Sequence, residues 1–182
     1  MGAAAVTTPI VAAPAFRMRV NGLPIPQGSK IPFIAKGKAM LRDDNAPKLR
    51  PWRKAITKAA QVALFGRFDW QPLDGPLRCA LLFAFPRPPS HPKRRRTWPT
   101  GKGEQGDIDK LVRAILDALS DAKVWTDDAR VVELHALKDW CGWGPARMLT
   151  VPGVVIRVWR IHEEPPTSGQ IPLLPEGNDS CR

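Results

Sequence analysis

Two pairs of aspartates carry the most specific chemistry in the sequence. Asp107 and Asp109 flank Ile108 at the predicted start of a helix, so that Ile108 can point into the core while both carboxylates face outward. Asp127–Asp128 lie in a turn that leads back to a predicted strand. If tertiary packing brings the pairs together, they form an oxygen-only site of the kind that suits Mg²⁺ or Mn²⁺ and not zinc. A metal in such a site can bridge a phosphodiester, generate hydroxide from bound water and stabilise the leaving oxygen.

The same aspartates also have an ordinary structural interpretation. An aspartate at a helix start caps the helix and complements its dipole, which contributes about 0.5–2 kcal/mol. Two aspartates in a turn are equally ordinary. Arg113 lies one turn after Asp109, where it either forms an i, i+4 ion pair or holds a phosphate through its planar guanidinium. The residue pattern alone leaves both interpretations open.

The elements that must position these residues follow from hydrophobic periodicity. Alternating apolar side chains predict strands, one with a basic outer face and another that is apolar on both faces and therefore central. Helical spacing of apolar residues predicts two helices, of which the second has the clearest pattern in the chain. The predicted elements are a strand over 16–20, a hairpin within 33–41, a helix over about 47–65, a strand over 77–85, a helix over 108–119, and strands over 131–138 and 154–161.

The charge balance points to a polyanionic partner. The 182 residues contain 28 Lys and Arg against 17 Asp and Glu, a net charge of +11, which favours nucleic acid first and an anionic membrane surface next. The surplus is uneven, because residues 1–106 carry 19 basic and 5 acidic groups whereas the remainder carry 9 and 12. A Pro-rich loop over 87–106 is predicted to be mobile. Its basic run either contacts a DNA backbone or is a solvated charge block.

The length suits one domain with a real core. We expect a flexible N-terminus over 1–14, a single domain over 15–162, and a Pro-rich acidic tail over 163–182. The chain has no tyrosine, which excludes a phosphotyrosine intermediate, and its three histidines argue against a histidine-rich metal centre. Three scattered cysteines indicate free thiols in a reducing compartment, and no stretch is apolar enough to span a membrane. These features predict a cytoplasmic location.

Several short motifs, in the same order, resemble the RusA family of Holliday-junction resolvases. That family's core reads P-D-x-D-N-x-x-K, then D-A-L, then a turn with D-D and a strand closed by Lys. Here the corresponding stretches are 106–119, 124–128 and 131–138, and residues 22–29 match the family's early G-x-P-x-P-Q-G-S element. The matches span about residues 16–161. Gly106 stands where the family has proline, Lys110 where it has asparagine, and the motif lysine falls at Arg113.

The resemblance implies an α/β (α+β) fold, in which a small mixed sheet of about four to five strands packs with two main helices. It also implies a homodimer that cuts four-way DNA junctions with Mg²⁺, for which Mn²⁺ is the expected substitute. Carried over by position, the catalytic and metal-binding carboxylates are Asp107, Asp109 and Asp128, with Asp127 an adjacent metal ligand, and Arg113 takes the place of the catalytic lysine. The residues expected to contact DNA are Lys93, Arg94, Arg95, Arg96, Lys102, Lys110 and Lys138. As in the family, Lys138 is also expected near the metal site; the alternative is that it only closes an exposed strand.

We therefore expect a Mg²⁺-dependent, structure-selective endodeoxyribonuclease that resolves four-way junctions by paired phosphodiester hydrolysis in DNA recombination and repair. A two-fold dimer suits this task, because a junction of pseudo-two-fold symmetry needs two cuts and therefore one active site per subunit. Two alternatives stay open. One is a non-catalytic nucleic-acid-binding module whose acidic cluster is structural, and the other is a nuclease for flap or other branched DNA.

Overall fold

A computed structural model describes residues 13–28, 30–35, 37–43, 45–92, 94–101, 105–147 and 149–161. Several sequence predictions lie outside these ranges. They are Lys93 and Lys102 of the basic loop, nearly all of the predicted N-terminal segment, and the acidic tail over 163–182. The structure does not test these predictions.

The described residues form six strands and two long helices in the predicted places, with bounds that shift by a few residues. The strands are β1 (Phe16–Asn21), β2 (Lys30–Ala35), β3 (Lys38–Asp43), β4 (Leu77–Phe85), β5 (Val131–Trp140) and β6 (Gly153–Arg160), and the helices are α1 (Ala46–Leu64) and α2 (Ile108–Asp121). Two three-residue 3-10 turns, Asp128–Arg130 and Gly144–Ala146, were not predicted, because such short turns leave no periodic signal.

The main sheet has four strands in the order β1-β6-β4-β5, and β2 pairs with β3 in a separate hairpin. The β1–β6 and β6–β4 pairs are antiparallel, whereas β4 and β5 are parallel. The prediction of a mixed sheet with two main helices is therefore confirmed. Because parallel neighbours need a crossover connection, α2 runs back along one face of the sheet between β4 and β5. Its first turn then lies at the end of β5, and its last turn lies near the start of β5.

The core lies between this helix-covered face and the two helices. β4 alternates as predicted for a central strand, with Cys79, Leu81 and Phe83 fully or almost fully buried beneath the helices. The helices contact each other, and Arg53 of α1 donates hydrogen bonds to Asp117 and Asp121 of α2. The core side chains of α2 are Leu111, Val112, Ala114, Ile115, Ala118 and Leu119.

Cys79 and Cys141 are free thiols, in agreement with the sequence prediction for these two residues. Burial raises the pKa of the Cys79 thiol to about 12, so this thiol stays protonated at neutral pH. Within the described part of the chain, neither helix has the length and the apolar composition that a bilayer crossing requires.

Candidate active site

The first aspartate pair lies at the exposed N-terminus of α2. Asp107 occupies the N-cap position with extended backbone, yet its side chain makes no capping hydrogen bond. Instead it pairs with Lys110 at 2.9 Å, and this contact, with a smaller contribution from Lys138, holds the pKa of Asp107 below its ordinary value. Asp109 is exposed, and no described residue pairs with it. Asp107 therefore does not cap α2 through its side chain, which was one of the two roles that the sequence left open.

The early proline-rich motif holds this helix start in place. Gly106 has φ +53°, and a Cβ there would lie 2.5 Å from the Pro26 ring. The backbone N–H of Gln27 donates to the Lys110 carbonyl at 3.1 Å, and Lys138 Nζ donates to the Gly106 carbonyl at 2.8 Å. Proline cannot adopt a positive φ, so the proline of the motif that this stretch resembles would not fit the backbone at position 106.

The second aspartate pair lies beyond the other end of α2. Asp127 Oδ1 accepts a hydrogen bond from the Ala129 N–H at 2.8 Å and so caps the 3-10 turn that precedes β5. Asp128 is half-buried, and no described residue pairs with its carboxylate. Asp127 therefore has the ordinary turn-forming role, and Asp128 is the member of this pair that is available for a ligand.

The two aspartate pairs do not meet within one chain. A helix of 14 residues such as α2 is about 21 Å long, and it separates Asp107 and Asp109 from Asp127 and Asp128. Among the described residues, no group of three or more acidic, histidine or cysteine side chains is placed to hold a metal ion. Convergence of the pairs, which the sequence spacing permitted, is not achieved by the fold of a single chain.

An apolar groove of about 450 Å³ lies between α2 and β5 and begins at the N-terminal end of the helix. Ile108 lines it and is 38% exposed, so the expectation that Ile108 points into the core is wrong. Leu134 of β5 also lines the groove and is 48% exposed, and Val132 of the same strand is 62% exposed. β5 is at the edge of its sheet, so one side of the strand offers free hydrogen-bonding groups. Apolar residues on an open edge are typical of a surface that pairs with another chain.

Arg113 lies in the wall of this groove beside Asp109. Its side chain is exposed, and it forms no ion pair with Asp109 or with any other described residue. Of the two roles that the sequence left open, the i, i+4 ion pair is therefore not formed. The guanidinium is free to contact an anion.

The described part of the basic loop is held to the end of β5 by side-chain contacts. Arg96 makes two hydrogen bonds to Asp139, of 2.8 and 2.7 Å, and the Asp139 side chain is fully buried. Thr97 accepts a hydrogen bond from the indole N–H of Trp140 at 3.1 Å. Trp98, 53% exposed, stacks against Arg96 with the guanidinium 5.2 Å from the ring centroid. Arg96, predicted to contact DNA, is thus primarily an anchor, whereas Arg94 and Arg95 are exposed.

Sequence reasoning did not single out Asp139. In the sequence it follows Lys138, where the predicted strand stopped, and only the structure shows that β5 continues to Trp140 and turns Asp139 into the protein. The nearby Gly144 carries no side chain because a Cβ there would lie 2.5 Å from the Arg96 guanidinium and 2.6 Å from the Asp139 carboxylate. No periodicity or motif in the sequence indicates this ion pair.

We expect Asp139→Ala to destabilise the protein by about 3–5 kcal/mol, because it leaves the partly buried guanidinium of Arg96 without its counter-charge. Equilibrium unfolding in urea measures the loss, and hydrogen exchange over 94–101 should speed up with it. Glu133→Ala is the matched control, since its ion pair with Arg78 is about half exposed on both sides and should contribute about 1 kcal/mol or less. Equal losses in the two variants would contradict the anchoring role.

A family model described as Endodeoxyribonuclease RusA matches residues 25–158, a range that contains both aspartate pairs, the groove and the Arg96–Asp139 anchor. No curated protein matches the chain.

Proposed function

The chain belongs to the RusA endodeoxyribonuclease family, and from that premise we propose that it is a Mg²⁺-dependent homodimeric enzyme that resolves four-way DNA junctions. The observation that carries this proposal is the position of the two aspartate pairs at opposite ends of α2, beside an open, partly apolar edge strand. The family supports endodeoxyribonuclease activity on branched DNA. The metal, the dimer and the residues in the site are the proposed part.

A two-fold dimer through β5 would unite the aspartate pairs. If β5 pairs antiparallel with β5 of a second copy, the two α2 helices also run antiparallel, and the start of each approaches the end of the other. A two-fold axis near Leu134 sets Lys138 level with position 130 of the partner subunit. Lys138 contacts Gly106, so the same register brings Asp107 and Asp109 towards Asp128 of the partner subunit. One dimer would contain two such sites.

The donor set of this shared site fits a hard divalent cation. Among the described residues, nothing pairs with the carboxylates of Asp109 and Asp128, and Asp107 and Asp127 each have one partner. The proposed ligands are all oxygen atoms, with no sulfur or imidazole in the set. Asp107 and Asp109 of one subunit, with Asp127 and Asp128 of the partner subunit, would hold Mg²⁺ or Mn²⁺. When bound, such an ion would lower the pKa of coordinated water and stabilise negative charge at the phosphate.

The surrounding cations would bind and orient the DNA backbone. Arg113 presents an unpaired guanidinium at the rim of the groove, where its planar fork can take two phosphate oxygens. Lys138 holds the start of α2 through Gly106 and adds positive charge beside Asp107. Lys110 and the exposed Arg94 and Arg95 extend this charge. Binding that depends on such contacts weakens steeply with salt.

We place this activity in DNA recombination and repair in the cytoplasm, as expected from the sequence. The test is cleavage of synthetic linear, flap, fork and four-way substrates at matched ionic strength, with Mg²⁺, with Mn²⁺ and with EDTA. We expect paired nicks in the four-way junction only with a divalent ion. Tight junction binding without product would favour the non-catalytic module. Equal cleavage of flap and fork substrates would favour a general branched-DNA nuclease.

A further inference from the structure

The face of the main sheet opposite the helices carries a second, separate cluster of positive charge. Strand register sets Arg17 of β1 directly opposite Arg157 of β6, and Arg157 in turn opposite Ala80 of β4. Arg19 lies two residues after Arg17 on β1, opposite Val155 of β6. All three arginines therefore project from the same side of the sheet, on two neighbouring strands.

The charges of this cluster are not compensated on that face. Arg17, Arg19 and Arg157 are exposed, and no described residue forms an ion pair with any of them. Arg19 donates a hydrogen bond only to the neutral Asn21 side chain. Like charges that are directly opposite each other destabilise a strand pair, so Arg17 and Arg157 reduce folding stability without a counter-ion.

The described carboxylates on this face, Glu133 and Asp139, already have partners. Glu133 pairs with Arg78, and the buried Asp139 pairs with Arg96. Beside Arg157 lies a cavity of about 440 Å³, whose lining includes Leu82, Leu137, Val155 and Leu149. The face thus combines unpaired guanidinium groups with a shallow apolar floor, which suits phosphate oxygens together with the sugar carbons between them.

We propose that Arg17, Arg19 and Arg157, the arginine face, bind a DNA phosphate backbone at a place distinct from the aspartate pairs. The proposal rests on the proposed function in taking branched DNA as the ligand, and charge complementarity selects that ligand. A four-way junction directs its arms apart, so one arm can lie on this face while the cleavage point lies at the ends of α2. In a dimer paired through β5, both arginine faces lie on one side of an eight-stranded sheet, with the two β6 strands about 24 Å apart.

The test compares the salt dependence of junction binding in three variants. The triple variant Arg17→Gln/Arg19→Gln/Arg157→Gln should reduce the slope of log Kobs against log salt by about 2–3, since each lost phosphate contact contributes about 0.9. Arg17→Lys/Arg19→Lys/Arg157→Lys keeps the charge and should retain most of the slope. Arg50→Gln/Lys54→Gln/Lys58→Gln, on the exposed face of α1, removes the same net charge and should change the slope by less than about 1. Thermal unfolding of all three checks that they fold, and the glutamine triple on the sheet should be no less stable than wild type.

An unchanged slope in the sheet triple, or equal losses in the sheet and α1 triples, would overturn the inference. Junction cleavage by the wild-type chain is measured in the same series. Binding without cleavage would count against the proposed nuclease function alone, and the comparison of slopes would still decide the arginine face.

Discussion

We expect Asp109→Asn to lower the proposed Mg²⁺-dependent cleavage of a four-way junction by about a thousandfold or more, to the limit of detection, and to leave junction binding nearly unchanged. The expectation follows from the position of Asp109 in the first turn of α2, exposed and without a partner among the described residues. The substitution keeps the shape of the side chain and removes one anionic oxygen ligand. A thousandfold corresponds to ~4 kcal/mol of transition-state stabilisation, within the several kcal/mol that a bound metal supplies.

Single-turnover cleavage with Mg²⁺ measures the first effect, and gel-shift titration without metal measures the second. Asp117→Asn, two turns further along the same helix, is the matched control. Asp117 binds Arg53 of α1, so this variant should lose at most about 1 kcal/mol of stability and keep its cleavage rate. Full cleavage by Asp109→Asn would show that Asp109 is not a residue of the active site.

The second large effect is expected at the open edge of the sheet. Leu134→Lys should convert the proposed dimer to a monomer and abolish cleavage at submicromolar protein, while the monomer stays folded because Leu134 is already 48% exposed. Full burial of one leucine contributes about 1.5–3 kcal/mol; about half of Leu134 is still exposed, and a two-fold interface loses that half twice. The expected loss of about 1.5–3 kcal/mol weakens dimerisation by about 10- to 150-fold, and a lysine on an edge strand further opposes pairing.

Analytical ultracentrifugation gives the dimerisation constant, and cleavage is followed over the same protein concentrations. Activity that returns as the concentration rises would identify lost dimerisation as the cause. Val62→Lys provides the control, because Val62 is 65% exposed on α1 and its substitution should change neither quantity. A Leu134→Lys variant that stays dimeric and active would place the dimer interface elsewhere.

Local patterns in the sequence were sufficient to predict the elements and the fold class. Alternation identified β4 as central because both of its faces are apolar, and the spacing from Leu111 to Leu119 located α2. Both signals depend only on residues that are close in sequence, so they can be detected without knowledge of the tertiary structure. The Pro26–Gln27 segment was noticed as a motif, but its role against Gly106 and Lys110 depends on a contact across about 80 positions of sequence.

Other features depend on how the elements are joined and paired, which spacing along the chain does not determine. A crossover helix between parallel strands carries the chain from one end of the sheet to the other, and it therefore separates Asp109 from Asp128. The Arg17–Arg157 pair exists only in the β1–β6 register. The Arg96–Asp139 contact joins residues 43 positions apart, and no local pattern encodes it.

A heterodimer with Asp109→Asn in one subunit and Asp128→Asn in the other tests the proposed shared metal site most directly. Such a heterodimer can be purified through two different affinity tags. If each site combines Asp109 of one subunit with Asp128 of its partner, both substitutions fall in one site and the other site stays intact. We expect each parent homodimer to be inactive, whereas the heterodimer should nick a four-way junction at about half the wild-type rate and make no paired cuts. A heterodimer as inactive as its parents would contradict a site shared between subunits.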